Sequence, residues 1–233
     1  MGKTSVRVVI ILFLWGCLGA LNTARASDLQ TWIDISDIVD LTENLRVGGD
    51  VGFRRSTECD RLSKVNARPT VIYEINRTFS LWGGVGLYYT WEPLKVLESR
   101  PWAGLLIRYP NVSRVSFAQF IRMEERLFDI EELDELLKVG RLRYRLQAVI
   151  PLNRSPDLAG SWYVPVYFEV SGRVWGDLPT GFISSARLSL GLGYRINKDW
   201  RLELNYQQQQ EKLTSDGNLT IEEHVVRLQL KGW

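Results

Sequence analysis

Arg141, Arg143 and Arg145 stand at every second position, separated by Leu142 and Tyr144. In an extended strand all three guanidinium groups project the same way, whereas on a 3.6-residue helix they would be strewn around the axis. The equivalent face of other alternating segments carries Arg46, Arg54, Arg68, Arg122, Arg126, Arg187 and Arg201, against Asp50, Glu74, Glu124, Glu169 and Glu203. A surplus of arginine on one face has two uses. Lining a narrow wet path, it favours small anionic solutes, as rings of arginine do in anion pores. Paired with the carboxylates, it locks a closed interior, where unpaired charge is costly. Glu124, flanked by Arg122 and Arg126, is the expected hub. The candidate lumen cluster is Arg68, Arg122, Glu124, Arg126, Arg141, Arg143, Arg145, Glu169, Arg187, Arg201 and Glu203. Gly84, Gly86, Gly191 and Gly193 share its face and leave room either for large neighbours such as Trp82 or for water.

Other chemistry is thinly supplied. His224 is the sole histidine and follows Glu223, which invites comparison with the Ser-His-acid arrangement of a lipid- or lipopolysaccharide-modifying barrel hydrolase. No serine lies two residues from it, and a rim or interface residue is the plainer reading. Cys59 has nothing with metal-ligand spacing around it, and one histidine leaves a zinc site short of ligands. The sequence assigns no catalytic residue, metal or cofactor.

The elements that must hold these arginines are strands. Leu45, Val47, Val51 and Phe53 share one face of the first clear alternation, with Arg46, Asp50 and Arg54 on the other. The pattern recurs at Val65 to Ile75, Phe79 to Tyr89, Ala103 to Tyr109, Val115 to Arg126, Arg141 to Ile150, Trp162 to Val170, Ala186 to Tyr194, Trp200 to Tyr206 and Val226 to Leu230. Leu29 to Ile38 makes an eleventh strand. Single-chain bacterial barrels have even strand numbers, so this first segment either stays outside the wall, giving ten, or has an unseen companion, giving twelve. Strands of this length exceed the roughly 5 to 6 residues typical of soluble sheets and approach the 9 to 11 that cross a bilayer. Trp32, Tyr73, Tyr89, Trp91, Tyr109, Trp162, Tyr194, Trp200 and Trp233 fall near strand ends, as interfacial aromatics do. Connections alternate between tight (76–78, 110–113, 196–199) and longer polar ones (55–63, 91–97, 127–138, 173–183, 211–222), with 151–160 as a long exception on the tight side. The acidic segment from Phe128 to Lys138 has room for a short amphipathic helix or a solvated loop.

The fold expected is an all-β, antiparallel, up-and-down transmembrane barrel of ten to twelve strands after an N-terminal signal helix. Lys3 and Arg7 precede an uncharged run, Val8 to Leu21, that is shorter than the roughly 20 apolar residues of a membrane-spanning helix. Ala24-Arg25-Ala26 supplies the small-x-small cleavage pattern, so residues 1–26 read as a cleaved signal and 27–233 as one barrel domain. The alternative, a lipoprotein with Cys17 lipidated, meets a bulky Trp15 in its lipobox. Export leaves Cys59 without an intrachain partner. The signal takes Lys3, Arg7 and Arg25 from 29 basic residues and none of the 27 acidic ones, so the exported chain carries a net charge of −1. That balance offers no nucleic-acid footprint.

Trp32, Arg68-Pro69 leading to Tyr73, Arg122-Met123-Glu124-Glu125-Arg126, Arg141-Leu142-Arg143-Tyr144, Glu169, Arg187-Leu188 with Gly191-Leu192-Gly193-Tyr194, and His224 occur in that order. In this the chain resembles domain of unknown function family 2490, a bacterial group whose members look like outer-membrane barrels. The resemblance implies fold and outer-membrane location and supplies no activity. Outer-membrane lipid and lipopolysaccharide would be the surroundings, and the barrel assembly machinery would read the C-terminal strand ending at Trp233. Val226, Leu228 and Leu230 lie an odd number of residues from Trp233, which calls for a bulge near Lys231-Gly232. A soluble periplasmic lipocalin-like binder remains as an alternative and requires a polar outer face.

Overall fold

The computed structural model describes residues 28–56, 62–91, 95–110, 114–131, 136–176, 183–211 and 220–232. The expected signal segment, Cys17, Cys59 and Trp233 lie outside them. The described chain forms eleven strands: β1 (Asp28–Asp40), β2 (Leu45–Ser56), β3 (Leu62–Glu74), β4 (Phe79–Thr90), β5 (Val96–Arg108), β6 (Ser116–Ile130), β7 (Leu136–Pro151), β8 (Trp162–Gly176), β9 (Ile183–Arg195), β10 (Trp200–Glu211) and β11 (Thr220–Gly232). Each pairs with its sequence neighbours, and β1 closes the barrel against β11.

That closure keeps all eleven strands counted from the sequence, within the ten to twelve expected, and overturns only the even-number argument. In an up-and-down series of odd number the first and last strands point the same way, and β1 and β11 are indeed parallel, with Trp32 opposite Arg227 and Ile35 opposite Leu230. Parallel ladders are only slightly weaker per residue than antiparallel ones. A side-chain staple reinforces this seam: the Arg227 guanidinium donates to Asp34 across it at 2.6 Å.

The alternation read from sequence becomes an inversion of the usual core. Leu188 is 51% exposed and Phe53 49%, while Glu124 is 1% and Asp34 5% exposed. Apolar side chains clothe the outside; charged ones fill the inside. Aromatic side chains gather at both rims. Tyr73, Tyr109, Trp162, Tyr194 and Trp200 lie near the rim bearing segments 41–44, 75–78, 109–115, 152–161 and 196–199, here the turn rim. Trp162 packs on Tyr194 there with ring centroids 4.6 Å apart. Tyr89 meets Trp91 edge-on at 5.1 Å near the opposite, loop rim. Trp32 departs from the expected girdle: it is 4% exposed and faces the lumen.

Strand ends also depart from expectation at one connection. β6 runs to Ile130 and β7 begins at Leu136, so most of 127–138 is strand, with no helix among the described residues. The rest of the expected longer connections falls largely on 57–61, 92–94, 132–135, 177–182 and 212–219, which lie outside the described residues. Segment 152–161 is the elaborate one. Asn153 donates to the Gly160 carbonyl and its own Oδ1 accepts from the Trp162 N–H at 2.9 Å. Gly160, at φ +74°, supplies the left-handed residue that lets its N–H reach the Arg195 carbonyl at 2.8 Å.

Prolines and bulges fit the ladders. Pro69, Pro101 and Pro165 each sit where one neighbouring ladder lapses, as a residue without an N–H requires. The register shifts, at Arg54/Arg55, Gly140/Arg141, Ser171/Gly172 and Gln209/Gln210, all lie toward the loop rim. The bulge expected near Lys231-Gly232 does not occur: β11 stays in register with β10 through Gly232 opposite Trp200.

Candidate functional site in the lumen

The strand period puts every residue of the expected cluster on the inner face, and register decides who meets whom. Arg141 lies directly opposite Glu124, and Arg145 and Arg187 lie on either side of Glu169. Directly opposed side chains are closer than those two apart on one strand.

Glu124 is accordingly gripped by Arg122 at 2.5 Å, by Arg141, and by Arg143 at 3.1 Å. Arg126, expected on this hub, goes instead to Glu98 at 2.5 Å, which Arg100 also holds through two bonds of 2.5 and 2.6 Å. Arg143 bridges onward to Glu169 at 2.7 Å, and Arg145 and Arg187 complete that second carboxylate at 2.6 and 3.4 Å. Arg187 also donates to Gln209 on β10. One continuous network therefore ties β6 to β10.

Smaller pairs finish the circuit. Arg68 holds Asp50 at 2.8 Å; Glu74 takes Arg46 and, at 2.9 Å, Arg108. Glu203 accepts from Lys231 at 2.6 Å and from the Tyr163 hydroxyl at 2.9 Å, with Arg201 at 3.7 Å. Asp34, Glu98, Arg100, Arg108, Arg195, Arg227 and Lys231 were not singled out from the sequence. Their signal is strand parity: Glu98 and Arg100 share the phase of Trp102 but fall between the expected loop 91–97 and the clear alternation that begins at Ala103.

Rings fill what the ion pairs leave. A Cβ on Gly193 would lie 2.3 Å from the Tyr163 ring, one on Gly84 3.2 Å from Trp102, and one on Gly86 2.8 Å from Tyr88. Gly86 and Gly193 are thus seats for aromatic rings, Gly84 lies against the Pro69 carbonyl as well as Trp102, and Asn205 lies over Gly191. Trp82 lies opposite Gly104 in the β4–β5 ladder and packs edge-on against Phe120 at 5.9 Å. Cations lie on rings as well: the Arg122 guanidinium is 4.4 Å from the Trp102 centroid and that of Arg145 is 4.5 Å from Tyr167. Such contacts contribute about 0.5–2 kcal/mol each.

His224 does not join the lumen. It is on the outer face, 5% exposed, with its Nδ1 2.5 Å from the Tyr206 hydroxyl. Glu223 precedes it in the same strand and so projects to the opposite side of the wall, which separates the two groups a His-acid pair would need together.

A search of curated proteins finds no match to the chain. The family model described as protein of unknown function (DUF2490) matches residues 29–220, from the start of β1 to the start of β11, and so spans nearly the whole barrel. The chain belongs to that family.

Proposed function

We propose that this protein is an outer-membrane barrel with a plugged lumen, a structural wall element rather than an open channel. The observation that carries the location is the inverted polarity: an outer face of exposed Ile, Leu, Val and Phe around an interior of buried charge. In water that arrangement forfeits the hydrophobic driving force, and a soluble lipocalin-like binder has the opposite polarity. In a bilayer the outer band replaces lipid contacts at no loss, and the aromatic rims meet the headgroups of lipid and lipopolysaccharide. The turn rim would face the periplasm, and the assembly machinery would take up the C-terminal strand there.

The plug is supported by the pairing just described. Eight strands make an interior that side chains just fill, and sixteen or more leave an aqueous channel. Eleven lie between, and this chain places arginine, tryptophan and tyrosine in that space. Membrane-fraction protein is expected to run faster unboiled than boiled on a denaturing gel, and the purified barrel to be silent in planar bilayers. The anion-pore reading draws on the surplus of guanidinium over carboxylate. It requires steady conductance and a reversal potential that Arg143→Ala shifts toward cations; silence leaves the plugged barrel.

A further inference from the structure

The lumen cations are nearly all paired, and the exception is local. Arg54 on β2 and Lys64 on β3 are direct cross-strand partners on the inner face. Like charges in that position repel. Neither has a carboxylate within ion-pair distance among the described residues. The Arg54 guanidinium rests on the Trp32 ring at 3.9 Å, and its Nε is buried without a hydrogen-bond partner. The Lys64 ammonium stands 6.0 Å from the Tyr88 ring, whose face also carries Arg100 at 3.9 Å and Arg54 at 5.7 Å. Three cations therefore surround one aromatic ring, and only Arg100 has an acid, Glu98.

The backbone here is also shaped. The β2–β3 register shifts at Arg54/Arg55, where Ser63 donates to the Arg54 carbonyl at 3.2 Å. Bulges re-aim side chains and cluster near sites at barrel rims. Arg54 is close to the end of β2 and Lys64 close to the start of β3, so the pair lies just inside the loop rim.

We infer that Arg54 and Lys64 form an anion site that takes a phosphate-type oxyanion. A guanidinium with a free N–H and an adjacent ammonium offer the forked and point donors that such an oxyanion accepts, and its charge removes their repulsion. The site does not require a conducting lumen.

Isothermal titration of the folded barrel in detergent, at fixed ionic strength with chloride as the reference anion, tests it. Inorganic phosphate is expected to bind saturably and to raise the melting temperature. Arg54→Gln/Lys64→Met should weaken binding at least tenfold and abolish the thermal shift, while remaining as stable as the parent in phosphate-free buffer. Lys64→Met alone, which leaves the Trp32 contact intact, should weaken binding if the double variant does not fold. Lys95→Gln, which removes an exposed charge elsewhere, should change nothing. Saturation by phosphatidic acid in the micelle but not by free phosphate would assign the same chemistry to a lipid headgroup. No saturable binding of either above chloride, or equal affinity in the Lys64→Met variant, overturns the inference. So does loss of stability in the double variant without any phosphate effect on the parent, since the pair would then be structural.

Discussion

Glutamine in place of Glu124 is expected to lower the unfolding free energy of the barrel by about 3–5 kcal/mol. Glu124 is 1% exposed and neutralises parts of three guanidinium groups, Arg122, Arg141 and Arg143. Glutamine preserves the shape but removes the charge and aims an NH2 donor into a nest of donors. Two of the three arginines then lose their carboxylate, and only Arg143 keeps one, Glu169. The urea midpoint of the detergent-folded protein reads the loss, with gel mobility reporting the folded fraction. Removing a cation as well should restore part of it: Arg141→Gln on the Glu124→Gln background relieves an orphaned guanidinium, so the two changes should couple by about 0.5–3 kcal/mol. A loss below about 1 kcal/mol would mean that water screens the network as it does at a surface. The plugged reading would then fail and the conducting one take its place.

The faces of the wall were legible because period two is strict where both sides are committed. Leu142, Leu146 and Ile150 point out while Arg141, Arg143 and Arg145 point in, as the sequence implies. Strand ends were harder. Glu125, Asp129 and Lys138 lie on the outer face toward the loop rim, where the proposed membrane placement would bring outward residues to headgroups and water, which tolerate polar side chains. There the contrast between faces fades, and a strand continuing to Ile130 resembles an acidic loop. Strand number was countable, but the even-number rule misled. It describes chains whose two ends meet on one side of the membrane, and nothing in the ladder hydrogen bonds enforces it.

The candidate site was legible in membership and not in partnership. Within one strand Glu124 has Arg122 and Arg126 equally far away, and only the register of β7 and β5 shows why Arg126 leaves for Glu98 while Arg141 arrives. Pairing depends on neighbours supplied by other strands, and one sequence does not fix their register. Trp32 was open to correction from parity alone. It shares the phase of Asp34, which places it among Arg54, Arg187 and Arg227 rather than in a girdle.

The outer wall admits an equally large test. Leu204 is 45% exposed, near the middle of β10, between Leu192 and Leu228 on the outer face. On a soluble protein, arginine at so open a position changes stability by no more than about 0.5 kcal/mol. At the centre of a lipid-facing wall it costs about 2–4 kcal/mol, and less toward the interfaces. Leu204→Arg should therefore lower the unfolding free energy of the vesicle-folded barrel by an amount in that upper range. Arginine for Ser36, which shares the inner face with Asp34, tests crowding and charge in the lumen and not lipid contact. The depth dependence supplies the control that sequence composition cannot. Val39→Arg, near the turn rim, should cost about 0–1 kcal/mol although Val39 is 56% exposed and equally apolar. A gradient from Leu204 to Val39 requires a hydrocarbon slab around the barrel; equal, small losses at both would require water there, and the outer-membrane assignment would fall.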